Sequence, residues 1–251
     1  MTSPRATPAT PGEPPPGSAA PEAAIEVRDL TFAWPGKPPL LRIDRFSVAR
    51  GERVFLRGPS GSGKSTLLNL LGGVVLPQSG KVSVLGQDLT KLGGAARDRF
   101  RADHIGFVFQ LFNLIPYLSV AENVALPCLF SQRRRARAEA ADGTMQHAAI
   151  RLLEHLDMGD PTLLRRPVTE LSVGQQQRVA AARALIGAPE LVIADEATSS
   201  LDADRRVAFL ALLFRECAAA RAAVVFVSHD PAMAHLFDRT IQLSDVNDAA
   251  S

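Results

Sequence analysis

Apolar and polar residues alternate through "IEVRDLTFAW", which starts at Ile25, and two more strand-like pieces flank a turn at Gly51 in "FSVARGERVFLRG". The last piece, Val54 to Arg57, runs into a glycine-rich loop. That loop opens "KSTLLNLLGG", whose apolar spacing and closing Gly72 and Gly73 predict a helix. "GKVSVLGQDL" reads as a short strand and turn, and "HIGFVFQ" as a strand ending at Gln110. From Val120 to about Glu170 the pattern is mostly helical, with Pro116 and Pro127 as breaks and "AAIRLLEHLDM" as an amphipathic stretch. A helix over "LSVGQQQRVAAARAL", Leu171 to Leu185, follows, with Ser172 at its cap. Two continuous apolar runs, "LVIAD" and "VVFVSHD", are separated by the helical "RRVAFLALLFRECAAA", as expected of parallel strands joined by a crossover. The pattern predicts an α/β core with a helical insert.

Composition narrows the picture. A chain of 251 residues with 46% hydrophobic and 22% charged residues can bury a core. Its 28 basic and 26 acidic residues leave a formal charge of +2, so no broad basic face points to nucleic acid. The Pro-, Ala- and Ser-rich opening, residues 1–23, has no apolar core for a signal peptide and reads as a disordered tail or linker. No apolar run approaches the roughly 18–20 residues that span a bilayer, so any membrane span must come from another chain. Cys128 and Cys217 have no metal-ligand or redox spacing and read as reduced, partly buried thiols. The run "RRRAR", Arg133 to Arg137, reads as a solvated helix face.

The chemistry concentrates in a few short stretches. In "GPSGSGKST", Gly58, Gly63, Lys64 and Ser65 match the phosphate-loop pattern, with the required strand before and helix after. The backbone of Gly58, Pro59, Ser60, Gly61, Ser62 and Gly63 can close around phosphate oxygens, with Thr66 completing the motif. Lys64 would neutralise the β- and γ-phosphates, and the Ser65 hydroxyl would ligate Mg²⁺. Asp195 ends a buried strand, where it can hold Mg²⁺ through water, and the adjacent Glu196 is the candidate general base. His229 ends another such strand and is a candidate γ-phosphate contact. The Ser172-capped helix end is a second anion site, more than one nucleotide obviously needs.

The ordered array "GPSGSGKST", "FVFQ", "LSVGQQQRVAAARAL", "LVIADEATSSLD" and "VSHD" resembles the nucleotide-binding subunit of an ATP-binding cassette (ABC) transporter from about Ile25 to Val246. The resemblance implies a P-loop NTPase (RecA-like) core with an antiparallel β subdomain and an α-helical subdomain at about 111–177, within a domain covering 24–251. It implies that Gln110 links Mg²⁺ and the attacking water to the helical insert, that "SSLD" with Asp202 is the D-loop and contributes to the nucleotide site, and that Trp34 stacks on adenine. It also accounts for the second anion site. Two cassettes face head to tail, and Ser172, Gly174 and Gln175 of one close over the ATP held by the loop of the other. The implied partners are a second copy and integral membrane permease subunits, at the cytoplasmic face of the inner or plasma membrane.

Two positions depart from the commonest family pattern. Val173 stands where the signature usually has Gly, and Ala197 where Pro usually follows the catalytic Glu. A left-handed Val173 would cost about 1–2 kcal/mol and weaken closure. "VFQLFNLIPYLSVAENVALP" most resembles the lipoprotein-release and macrolide-export ATPases (LolD-like, MacB-like) and their FtsE-like cell-division relative. The leading reading is an ATPase that drives a separate permease. The alternative is an FtsE-like mechanotransmission or regulatory ATPase whose membrane partner moves no substrate.

Overall fold

The computed structural model describes residues 23–198 and 201–250, with the side chain of residue 250 left aside. The tail read over 1–23 lies outside the described residues except at its last position, since β1 (Ala23–Ala33) already includes Ala23. β1 pairs antiparallel with β2 (Pro39–Ala49) and β4 (Ser79–Val84), and β4 with β5 (Gln87–Asp88), in the order β2-β1-β4-β5. The alternation seen in the sequence buries Ile25, Val27, Leu30 and Phe32 on one face. It slips at a bulge where Asp29 takes φ 49°. A Cβ at the facing Gly80 would lie 2.3 Å from the Asp29 carbonyl oxygen, so only glycine fits there.

The second sheet is parallel: β3 (Arg53–Arg57), β6 (Ile105–Val108), β7 (Leu191–Asp195), β8 (Ala223–Val227) and β9 (Arg239–Gln242), in the order β6-β7-β8-β3-β9. Its central strands are apolar throughout because both faces are covered. Val54, Leu56, Ile193 and Val225 face a core shared with the antiparallel sheet and α1 (Lys64–Leu71). Their neighbours Phe55, Val192, Val224 and Phe226 face a second core built by helices.

Those helices are α3 (Val120–Ala125), α4 (Pro127–Phe130), α5 (Gln132–Asp142), α6 (Met145–His155), α7 (Pro161–Leu164), α8 (Val173–Leu185) and α9 (Ala203–Ala219). One more, α2 (Gly94–His104), precedes β6 and buries none of its side chains. Neither α2 nor β9 is foreseen by hydrophobic pattern.

The arginine run is only partly a solvated face: Arg133 and Arg135 are exposed, but Arg137 is half-buried and Arg134 is buried. Arg134 is 3% exposed and donates from Nε to the Ile186 carbonyl at 2.7 Å and from Nη2 to the Ala184 carbonyl at 2.5 Å. These carbonyls end α8, so a cation there satisfies orphan acceptors and opposes the helix dipole. Arg133 and Arg137 reach Glu190 Oε1 at 2.8 and 2.7 Å, and His104 Nδ1 meets its other oxygen at 3.1 Å. The helical insert is thus tied by charge to the residue that immediately precedes β7.

Burial pushes the Glu190 carboxyl up, but the bonds from His104, Arg137 and Arg133 outweigh it and hold the group well below the ordinary carboxylate range. Its folded value lies below its unfolded one, so the stabilisation is full above the ordinary value of 4.5 and is lost as pH falls below it. Glu190→Gln should therefore lower the urea midpoint at neutral pH, with the gap to the parent closing in acid. A gap that stays constant with pH would contradict this.

Candidate active site

The parallel register sets Leu56 beside Val227, and Val227 beside Asp195. The phosphate loop, the Asp195–Glu196 pair and Ser228–His229 therefore leave the sheet at one level. Val108 beside Ala194 brings the chain leading to Gln110 to the same edge. This carboxyl edge is where open α/β sheets bind ligands.

At the loop, Gly61 and Gly63 take φ 78° and 101°. A Cβ at Gly63 would also lie 2.8 Å from Leu41 Cδ2 and displace that side-chain end, but it is the positive φ that calls for glycine. α1 starts from Gly63 without a side-chain cap, which leaves its first N–H groups to a ligand. Ser62 Oγ is buried with no hydrogen-bond partner. Pro59 and Ser60 are exposed on the outer part of the loop, and Thr66 is buried in the first turn of α1. Lys64 is 6% exposed and its Nζ donates to the carbonyls of Gly58 and Pro59, both at 2.9 Å. Burial lowers its affinity for a proton, while the charges of Glu196 and Asp195 raise it.

Asp195 is pushed up by burial, pulled down by a hydrogen bond from Ser65, and pushed up again by the Glu196 charge. A carboxylate disfavoured in this way, beside a hydroxyl oxygen, gains from a hard divalent cation, so the pair fits Mg²⁺. Glu196 contacts His229 directly, Oε1 to Nε2. Its backbone is left-handed, φ 47°, and its N–H donates to the Val227 carbonyl at 2.9 Å. Such a conformation stores strain of about 1–3 kcal/mol and persists only where the surroundings enforce it. Ala197 is buried in the core behind it.

Gln110 lies two residues beyond the end of β6, exposed in a turn, rather than at the strand end. The turn contains left-handed Phe112 and Asn113, and its carbonyls are held by a residue that the sequence reading missed. Arg183 of α8 is 9% exposed and donates to the Phe112 and Asn113 carbonyls at 2.5 and 2.6 Å. The available signal was a lone Arg inside the apolar "VAAARAL". Trp34 is 44% exposed and meets Phe32 edge-on at 5.0 Å, which leaves ring surface open to a partner.

The Ser172 end is a separate place. Ser172 caps α8 in a reciprocal box: Gln175 N–H donates to its Oγ at 3.3 Å, and Gln175 Oε1 accepts from its N–H at 2.9 Å. Val173 is the first helical residue, is 51% exposed and is not left-handed, so the strain considered for it does not arise. The depression beside Ser172 and Gly174 is lined by Gln177, Arg178, Leu201, Arg205 and Phe209, with no phosphate-loop residue among its lining. Asp202 caps α9, accepting from Arg205 N–H at 2.9 Å, while the two serines before Leu201 lie outside the described residues.

A family profile described as ABC transporter matches residues 41–199. The lipoprotein-releasing system ATP-binding protein LolD of Anaeromyxobacter dehalogenans is 42% identical over 219 residues, 87% of this chain and 88% of that protein. The macrolide export ATP-binding/permease protein MacB of Rhodopirellula baltica is 38% identical over 82% of this chain, but over 29% of its own length. A solved dimeric ATP-binding cassette, in a post-hydrolysis state bound to ADP and Pi, superposes with a TM-score of 0.77 at 33% identity, covering 90% of this chain and 95% of that one.

If the Lys64 ammonium is the main cation facing the triphosphate, Lys64→Ala should weaken ATP binding by about 100-fold, the scale of a hydrogen-bonded charge lost from a partly buried site. Isothermal titration with MgATP measures this. Affinity within a factor of three of the parent would remove Lys64 from the site.

Proposed function

The chain belongs to the ABC transporter family and is an ATP-hydrolysing cassette, and on that premise we propose that it powers a separate membrane permease through ATP-driven head-to-tail pairing of two copies. The observation that carries this reading is the separation of two anion-receiving surfaces on one chain: the Lys64 loop, and the Ser172 end of α8 with its own depression. ATP held by one copy supplies the negative charge that joins it to the N–H groups of the other.

In this reading the loop from Gly58 to Thr66 cradles the phosphates, Trp34 stacks on adenine, and Ser172, Gly174 and Gln175 of the second copy close over the γ-phosphate. Asp202 lies at the same interface. Ser65, Asp195 and Gln110 would hold Mg²⁺, which would supply charge neutralisation between the β- and γ-phosphates. Glu196 accepts the proton of a water that attacks the γ-phosphorus, while His229 contacts the γ-phosphate and keeps Glu196 in place. The bond to the bridging oxygen breaks, ADP and phosphate part, and the surfaces lose the group that joined them.

Among the described residues no helix is long and apolar enough to cross a membrane. In this reading the permease supplies the span and the cassette works peripherally at the cytoplasmic face. A groove of about 420 Å³ between the Gln110 turn and α4, lined by Phe107, Phe109, Ile115, Leu126 and Phe130, gives the permease an apolar seat. Arg183 forms part of that groove and holds the Gln110 turn, so docking and the nucleotide site share a strut. The reading places the helical subdomain at about 111–177 of a domain covering 24–251.

Glu196→Gln should bind MgATP normally, turn it over at least about 100-fold more slowly, as loss of a general base requires, and accumulate as a dimer in light scattering. Unchanged turnover would remove Glu196 as the base.

A further inference from the structure

We infer that Arg206, near the start of α9, is a positioning residue for hydrolysis: its guanidinium ties the turn after Glu196 to the segment carrying His229, and so holds the two side chains together. The inference rests on the catalytic roles proposed above for Glu196 and His229.

The ties form a closed circuit. Arg206 Nη2 donates to the Leu201 carbonyl at 2.9 Å, and Nη1 pairs with Asp230 Oδ2. Leu201 N–H returns to the Thr198 carbonyl at 3.2 Å, two residues after Glu196. Asp230 directly follows His229. Its other oxygen accepts from Ala232 N–H at 2.9 Å, so both carboxylate oxygens are held, and its backbone N–H donates to Ser228 Oγ at 3.2 Å. The circuit closes at the contact of His229 Nε2 with Glu196 Oε1.

Two features say that the guanidinium is set by these bonds. The Arg206 side chain is 17% exposed, and its Nε is buried with no partner, a cost borne in exchange for the fork geometry at Nη1 and Nη2. Glu196 has a left-handed backbone, which must be enforced from outside, and the circuit bears on the turn that follows it and on its side-chain partner His229. Leu201 also lines the depression beside Ser172, and a Cβ on Gly174 would stand 3.7 Å from its Cδ2. A second copy seated there presses on one end of the same bridge.

The test is steady-state ATP turnover of the full chain, with urea midpoints recorded in parallel. Arg206→Met should lower kcat by about 10- to 100-fold, the scale of a misplaced catalytic pair, with KM for ATP within about threefold. Arg206→Lys, which keeps the charge but loses the fork, should recover part of the loss. Asp230→Asn should show a similar deficit, and the double variant should be no worse than the poorer single one, as expected of partners in one contact. If Arg206→Met keeps parental kcat while Glu196→Gln is inactive, the positioning role is wrong and the catalytic assignment stands. If Glu196→Gln is also fully active, the catalytic assignment fails first. A loss of turnover accounted for by the unfolded fraction alone overturns the inference as well.

Discussion

The registration of β8 between β3 and β7 is the constraint on which the site depends. Because Val227 lies beside both Leu56 and Asp195, three segments distant in sequence leave the sheet together and face one volume. Each brings one chemical element: uncapped helix N–H groups with Lys64, a carboxylate pair, and an imidazole. A slip of one residue in any of these strands would turn buried apolar side chains to the wrong core and pull that element off the edge. The two hydrophobic cores, fed by alternate residues of the same strands, oppose such a slip. Stability and function therefore share one device.

A second theme is the use of arginine as an internal strut. Arg134 satisfies the carbonyls at the end of α8, Arg183 those of the turn after Gln110, and Arg206 joins Leu201 to Asp230. All three donate to backbone carbonyls where the chain has no regular partner, which is where a rigid, always-charged fork is most useful. The helical insert, the end of α8 and the loops of the site are thereby held to one another through directional bonds. The turn after Gln110 is held this way despite two left-handed residues.

Much of this was legible beforehand because the relevant signals are local. The glycine loop, the strand–carboxylate sequence "LVIADE" and the Ser172 cap each declare their geometry within a few residues. What escaped was non-local or weakly patterned. α2 buries no side chain and so has no apolar stripe, and β9 is a four-residue edge strand with exposed and half-buried positions. Arg133 to Arg137 looked solvated because sequence shows charge but not the carbonyls at the end of a helix some fifty residues on, to which Arg134 donates. Val173 raised a question of strain because glycine is usual there, yet as the first residue of α8 it needs no left-handed backbone.

The account rests on composite sites, each made from the Lys64 loop of one copy and the Ser172 helix end of another. Mixing a Lys64→Ala chain with a Ser172→Arg chain tests this directly, since each is expected to be inactive alone. A head-to-tail pair of the two retains one intact composite site, so the mixture should regain measurable ATP turnover. A mixture as inactive as its components, with heterodimers shown to form, would contradict the arrangement.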